Sequence, residues 1–339
     1  MSVFDRVLPC FVALFLSLGS ANAEEVNIYS ARHYDTDLSI YERFSEETGI
    51  KVNLIEGQSE ELLARLAQEG EFSPGDVLLT VDAGRLWHAE QAELFAPVSS
   101  EVIDARVPAH LRHPDGLWFG ISKRARIVIY NKEDGLPEGL TTYADLANPG
   151  FEGQICVRSS SSIYNISLLS SIVAHEGTDA AESWAEGVVA NFARSPQGND
   201  TAQIKAVAAG ECRLGIANTY YVARLMGSDD PADRAVADKI GIIFPDQLGR
   251  GTHVNISGTG LLTNAPNKAN AIRFLEFLVS DWAQNILAEG NNEYPTVPTV
   301  DAQGPVTTLG AFKEDEINAS ALGQNQSLAI RIFDRAGWR

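Results

Sequence analysis

Short apolar runs and amphipathic stretches alternate along the chain from residue 26 onward. VNIYSA reads as a buried strand. The stretch from Thr36 to Glu47 then sets Ile40, Tyr41 and Phe44 at helical spacing and stops at Gly49. KVNLIE is a second strand. Ser59 is expected to cap the next helix, whose first turn carries Glu60 and Glu61 and whose apolar face is Leu62, Leu63 and Leu66. DVLLTV is continuously apolar, as a parallel strand covered on both faces would be, and a helix from Ala83 to Leu94 follows. This is a β-α-β-α-β run, the signature of a layered α/β unit.

A second set begins near residue 117. WFGIS and ARIVIYN read as strands, and QICVRSS is followed by a helix from Tyr164 to His175. Two more helices lead to RLGIANT, a short helix from Tyr220 to Met226, and KIGIIFP. THVNISGTGLL is extended, Asn267 to Glu289 has the period of one long amphipathic helix, and Asn318 to Phe333 is a helical tail. Late segments that return to the first set imply two lobes, with residues 24–122 and 252–309 in one and 123–251 and 310–339 in the other. The chain would cross between them near residues 123 and 251.

The first 23 residues follow another logic. Arg6 precedes a mostly apolar run from Val7 to Leu18, and Ala21-Asn22-Ala23 is an A-x-A cleavage site. Residues 1–23 therefore read as a cleaved export signal, which places the protein in the periplasm. The signal carries one acid, Asp5, and one base, so the mature charge stays at the −19 of the whole chain. Nucleic-acid binding would call for a basic face instead. Two cysteines remain, Cys156 and Cys212, each opening an apolar run. In an oxidising compartment they form a disulfide or stay as buried thiols, and both readings are open.

Catalytic signatures are missing from the sequence. It has no G-x-S-x-G, P-loop or H-E-x-x-H, and no G-x-G-x-x-G after a strand. His110 and His113 are bracketed by Pro108 and Pro114, which reads as a loop and not as a metal-binding helix face.

Tyrosine is the chemical clue. It stands where a strand gives way to a helix in YSARHYDTD (His33, Tyr34), in RSSSSIYNISL (Tyr164) and in ANTYYVARL (Tyr220, Tyr221). In layered α/β folds the carboxyl ends of strands face the ligand crevice. A free phenol has a pKa of about 10 and is neutral at pH 7, but a strongly charged metal ion can remove its proton. Phenolate therefore selects a hard trivalent ion. Zinc would favour cysteine and histidine, and calcium would favour carboxylates and carbonyls. Four phenolates on a trivalent ion leave one excess negative charge. Arg224, at helical spacing from both Tyr220 and Tyr221, or Arg124 at the start of the crossing strand could offset it.

YSARHYDTD, ICVRSSSSIYNISLLSSIVAHEG and AAGECRLGIANTYYVARL resemble the corresponding segments of bacterial periplasmic ferric-iron-binding proteins, the transferrin-like substrate-binding proteins of ABC transporters. The resemblance spans essentially the whole mature chain, and the adjacent pair in NTYY is its most specific motif. It implies the two-lobe clamp of type II periplasmic binding proteins, an α/β fold with a mixed sheet flanked by helices in each lobe and hinge strands between. It also implies no enzymatic activity and an inner-membrane ABC permease as partner; the protein itself is expected to be a monomer.

The family's ligands map onto Tyr164, Tyr220 and Tyr221. RHYDTD resembles the subgroup that adds a tyrosine, Tyr34; where the other subgroup has a glutamate, EGQSEELL gives no match. His33 is a fifth ligand or an outer group, with the outer role preferred, and Arg124 and Arg224 would face the site from behind its ligands. Many relatives add a small anion such as carbonate. Ser159 to Ser162 precede a helix and could hold one, although a plain capping role is the preferred reading. The rival functions are binding of a polyamine, thiamine or an oxyanion, and, further off, an exported enzyme.

Overall fold

The computed structural model describes residues 24–339 apart from His33. The export signal at 1–23 and the ligand candidate His33 thus lie outside the described residues. Among those described are ten strands: β1 (Glu25–Ser30), β2 (Lys51–Glu56), β3 (Val77–Val81), β4 (Phe95–Ala96), β5 (Phe119–Asn131), β6 (Ile155–Cys156), β7 (Leu214–Asn218), β8 (Ile240–Ile243), β9 (Val254–Leu262) and β10 (Tyr294–Pro295). They run in the order β2-β1-β3-β9-β5-β7-β6, with β4 on β9 and with β8 and β10 on β5. β1 is parallel to β2 and β3, and β6 to β7, while β9 and β5 are antiparallel to their neighbours. This is the mixed α/β architecture the alternation implied.

β5 is the spine. Phe119 to Ala125 pair with β9, and Arg126 to Asn131 pair with β7 and β8. Two expected strands are therefore one. The polar residues Ser122, Lys123 and Arg124 interrupt its apolar run without interrupting its pairing. Beyond the partner change, side chains alternate between faces as a strand requires. Val128 joins one apolar cluster with Leu169, Ile216 and Phe333, and Ile127 and Ile129 join another with Ile204 and Val254. A third cluster gathers Ile28, Phe44, Leu79, Ile121, Ile256 and Phe274 around the first strands. The tail is divided: Ala319 and Leu322 pack in that first cluster, and Ala329 to Trp338 pack beside Val128.

Three further expectations need correction. The long helix over 267–289 is two, Lys268–Leu278 and Asp281–Glu289, because Ser280 is extended and its hydroxyl caps the second at Ala283 N. Ser59 lies inside its helix, Ser59–Glu69, and shares a hydrogen bond with Thr80 instead of capping; Gln58 holds the cap position. The helical tail is likewise two pieces, Ser320–Gln324 and Gln326–Ala336. Cys156 on β6 and Cys212 just before β7 are joined by a disulfide with Cα atoms 5.8 Å apart, which closes the question the sequence left open. No helix among the described residues is long and apolar enough to cross a membrane.

Candidate metal centre

Each candidate tyrosine stands where a strand hands over to a helix. Tyr34 holds the cap position of the helix Asp35–Thr48, four residues beyond β1, with extended backbone (φ −115°). Tyr164 is in the first turn of the helix Ile163–Glu176, which follows β6. Tyr220 and Tyr221 are in the first turn of the helix Thr219–Met226, directly after β7. Since β6 and β7 are parallel neighbours, their helices start at the same end of the sheet. Helix amino termini favour negative charge, so phenolates here would meet a favourable field.

The side chains converge. The Tyr220 hydroxyl donates to the Tyr164 hydroxyl at 3.1 Å, and the Tyr220 and Tyr221 rings lie 4.2 Å apart. Tyr220 is buried, whereas Tyr34, Tyr164 and Tyr221 are half-buried. Burial raises the pKa of Tyr34, and Glu293 and Tyr164 raise it further against the pull of Arg32 and Arg124. Burial holds Tyr220 well above the ordinary range, reinforced by Tyr164, Tyr221 and Tyr34. Tyr221 is pushed up to about 12 by burial, then by Tyr164 and Asp200. The four phenols thus lie within electrostatic reach of one another. Tyr34, Tyr220 and Tyr221 are neutral at pH 7, and a bound ion would have to displace each of their protons.

Five arginines surround the phenols. Arg32 lies 5.0 Å from the Tyr34 ring, and Arg124, Arg126 and Arg158 lie 5.7, 5.8 and 5.2 Å from the Tyr164 ring. Arg224 lies 5.7 Å from both Tyr220 and Tyr221. Both arginines proposed from the sequence therefore sit beside the ring cluster, but they differ in weight. Arg224 is exposed and its charge is screened, whereas Arg124 is 1% exposed. Burial lowers the pKa of Arg124, and Glu293, Tyr164, Asp82 and Tyr220 more than reverse this, so it stays charged.

The acids that hold these arginines were not apparent in the sequence. Asp200 receives Arg126 at 2.6 Å, Arg158 at 3.2 Å and the backbone N–H of Asn218 at 2.8 Å. It thereby fixes the residue at the cap position of the Tyr220 helix. Asp82 has φ of +86°, a strained value for a residue with a Cβ, and its buried carboxylate accepts from Gly84, Ser167 and Asn255. Those bonds tie the end of β3 to β9 and to the Tyr164 helix. Arg32 pairs with Asp37 at 2.8 Å, and Glu293 lies between Arg32 and Arg124. The sequence signal lay with their partners, Arg124 and Arg126 standing inside an otherwise apolar strand.

The serine run does not behave as expected. Ser162 holds the cap position of its helix, yet its hydroxyl makes no capping bond and is buried without a hydrogen-bond partner; Ser159 and Ser161 bond each other. No group of three or more His, Cys, Asp or Glu able to hold a metal ion occurs among the described residues. His110 lies 3.3 Å from Glu314, and His113 lies 3.4 Å from Glu90.

Comparison with known proteins gives the family and the fold. The family model for bacterial extracellular solute-binding proteins matches residues 73–308. The chain is 52% identical over 316 residues to iron uptake protein A1 of a Synechocystis species, covering 93% of this chain and 88% of that protein. A Trichodesmium protein (IdiA, FutA) solved in complex with iron and citrate ligands is similar in fold, with a TM-score of 0.91 and 54% identity over 93% of this chain and all of that one. The ferric binding protein of Campylobacter jejuni gives 0.86 and 42% over 93% of this chain and all of its own. With a match of that extent, the chain belongs to the bacterial extracellular solute-binding protein family.

Proposed function

We propose that this protein captures ferric iron in the periplasm with four tyrosine phenolates and presents it to an inner-membrane ABC permease. The observation that carries the reading is the convergence of Tyr34, Tyr164, Tyr220 and Tyr221, with no competing cluster of acids, histidines or cysteines among the described residues. A divalent ion pulls weakly on phenol protons that burial holds so firmly, and a trivalent ion pulls hard. The relatives named for iron uptake and ferric iron binding support the same cargo.

In this reading residues 1–23 are removed on export. The lobes are 24–122 with 252–309, and 123–251 with 310–339. Iron meets Tyr164, Tyr220 and Tyr221 on the second lobe first. Closure then brings Tyr34 onto the metal and expels water, so the ion biases the clamp toward its closed form. Each phenol gives up its proton as it binds. His33 adjoins Tyr34 as an outer group. A small anion such as carbonate would find unpartnered donors in Ser162 Oγ, at the cap position of the Tyr164 helix, and in Arg158 Nε, on an arginine that lies against the Tyr164 ring.

The test is a Tyr220→Phe/Tyr221→Phe double variant titrated with ferric iron against a competing chelator. Folding should persist, since two hydroxyls are lost and no ring volume, and ferric affinity should fall by at least about a hundredfold. Wild-type affinity in that variant would remove the tyrosine site. Calorimetry of the wild type with polyamines, thiamine and oxyanions separates the rival cargoes, which should give no heat.

A further inference from the structure

Glu293 immediately precedes β10 and is 1% exposed. Its carboxylate lies 3.7 Å from the Arg32 guanidinium and 3.8 Å from that of Arg124, and it accepts a hydrogen bond from the Ser122 hydroxyl. Arg32 is also paired with Asp37, and Arg124 stands 3.9 Å from Asp82. Buried charges of alternating sign thus run Asp37, Arg32, Glu293, Arg124, Asp82. Among the described residues, Glu293 is the carboxylate that reaches both arginines lying against Tyr34 and Tyr164.

This placement is a poor way to gain stability. A buried ion pair contributes little unless its geometry is close and its donors are satisfied. Glu293 meets both guanidinium groups beyond hydrogen-bond distance, and Arg124 leaves Nε and Nη2 without hydrogen-bond partners. What the carboxylate does supply is a fixed negative charge behind the phenols. With it, the five groups sum to −1; without it they sum to zero.

We propose that Glu293 is a specificity-determining residue that biases the site toward ferric and against ferrous iron. The inference rests on the four-phenolate reading. Ferric iron with four phenolates carries −1, and the same centre after gaining one electron carries −2. A nearby negative charge raises the energy of the second state more than that of the first. Glu293 also keeps the charges of Arg32 and Arg124 partly neutralised, so neither cation faces the phenolates uncompensated.

The experiment compares wild type and Glu293→Gln, loaded with iron and poised against redox mediators, with the phenolate-to-iron colour followed as the ferric signal. The variant should keep its colour, and its ferric-over-ferrous affinity ratio should fall by about tenfold, a rise of about 59 mV for a one-electron couple. Arg32→Gln removes a positive charge from the same row and should move the ratio the opposite way; it decides the question if Glu293→Gln does not fold. Glu293→Asp keeps the charge and should stay near wild type. An unchanged ratio in a coloured Glu293→Gln protein, or a shift of the same sign in both Gln variants, overturns the proposal. A wild type that takes up ferric iron without colour overturns the phenolate reading itself, and this inference with it.

Discussion

Asp200 gives the sharpest test of how the site is built. Its carboxylate is inaccessible to solvent and receives Arg126, Arg158 and the Asn218 backbone N–H. Asp200→Asn keeps the shape and one acceptor oxygen for Asn218. It removes the negative charge that compensates Arg126, whose side chain is 2% exposed. Breaking one side of such a buried pair costs about 3–5 kcal/mol, because the remaining charge is stranded. The half-exposed Arg158 adds little, being partly screened. The same change should lower the pKa of Tyr221, since Asp200 is one of the charges that raise it. Urea unfolding of the metal-free protein measures the first effect, and ultraviolet difference titration of tyrosinate measures the second. Arg126→Met alone and combined with Asp200→Asn completes a double-mutant cycle, in which the double variant should recover much of the lost stability. A loss under 1 kcal/mol, or no recovery in the double variant, would refute the view that this pair is a buried, coupled unit.

Two other consequences concern stability. The Cys156–Cys212 bridge spans 56 residues of sequence, for which loop entropy gives about 4 kcal/mol; Cys156→Ser/Cys212→Ser should lose stability of that order in urea, and a loss below 1 kcal/mol would contradict it. His253 is buried, and burial followed by the charges of Arg126, Arg250, Arg124 and His175 lowers its pKa to about 3. Its folded form resists protonation, so the stability it contributes is complete above its unfolded pKa of about 6.5 and is lost as pH falls toward 3. Between pH 6.5 and 4.5 this one group should cost about 2.3 kcal/mol, and His253→Gln should flatten that limb; an unchanged slope in the variant would contradict the assignment.

Much of the fold was legible because strands and helices alternate with different periods. The tyrosine positions were legible because each stands in the passage from an apolar run to the start of a helix. What escaped has physical reasons. Leu278, Trp282 and Ile286, four residues apart, keep a helical apolar period across Val279 and Ser280, so the break left only one local sign, a serine that can cap. β5 looked like two strands because Ser122 and Arg124 are polar, yet they are buried for their place in the charge row. Glu293 was invisible because its partners are remote in sequence, Ser122 being 171 residues away. Arg32, Asp82 and Asp200 likewise acquire meaning from contacts that only the folded chain makes.

The central claim is that several phenolate oxygens bind one ferric ion. The visible absorption spectrum of the purified protein, recorded before and after one equivalent of ferric iron and again after a strong chelator, tests it most directly. A red or orange band that appears with iron and disappears with the chelator is the expected result. A protein that saturates with ferric iron and stays colourless would contradict it.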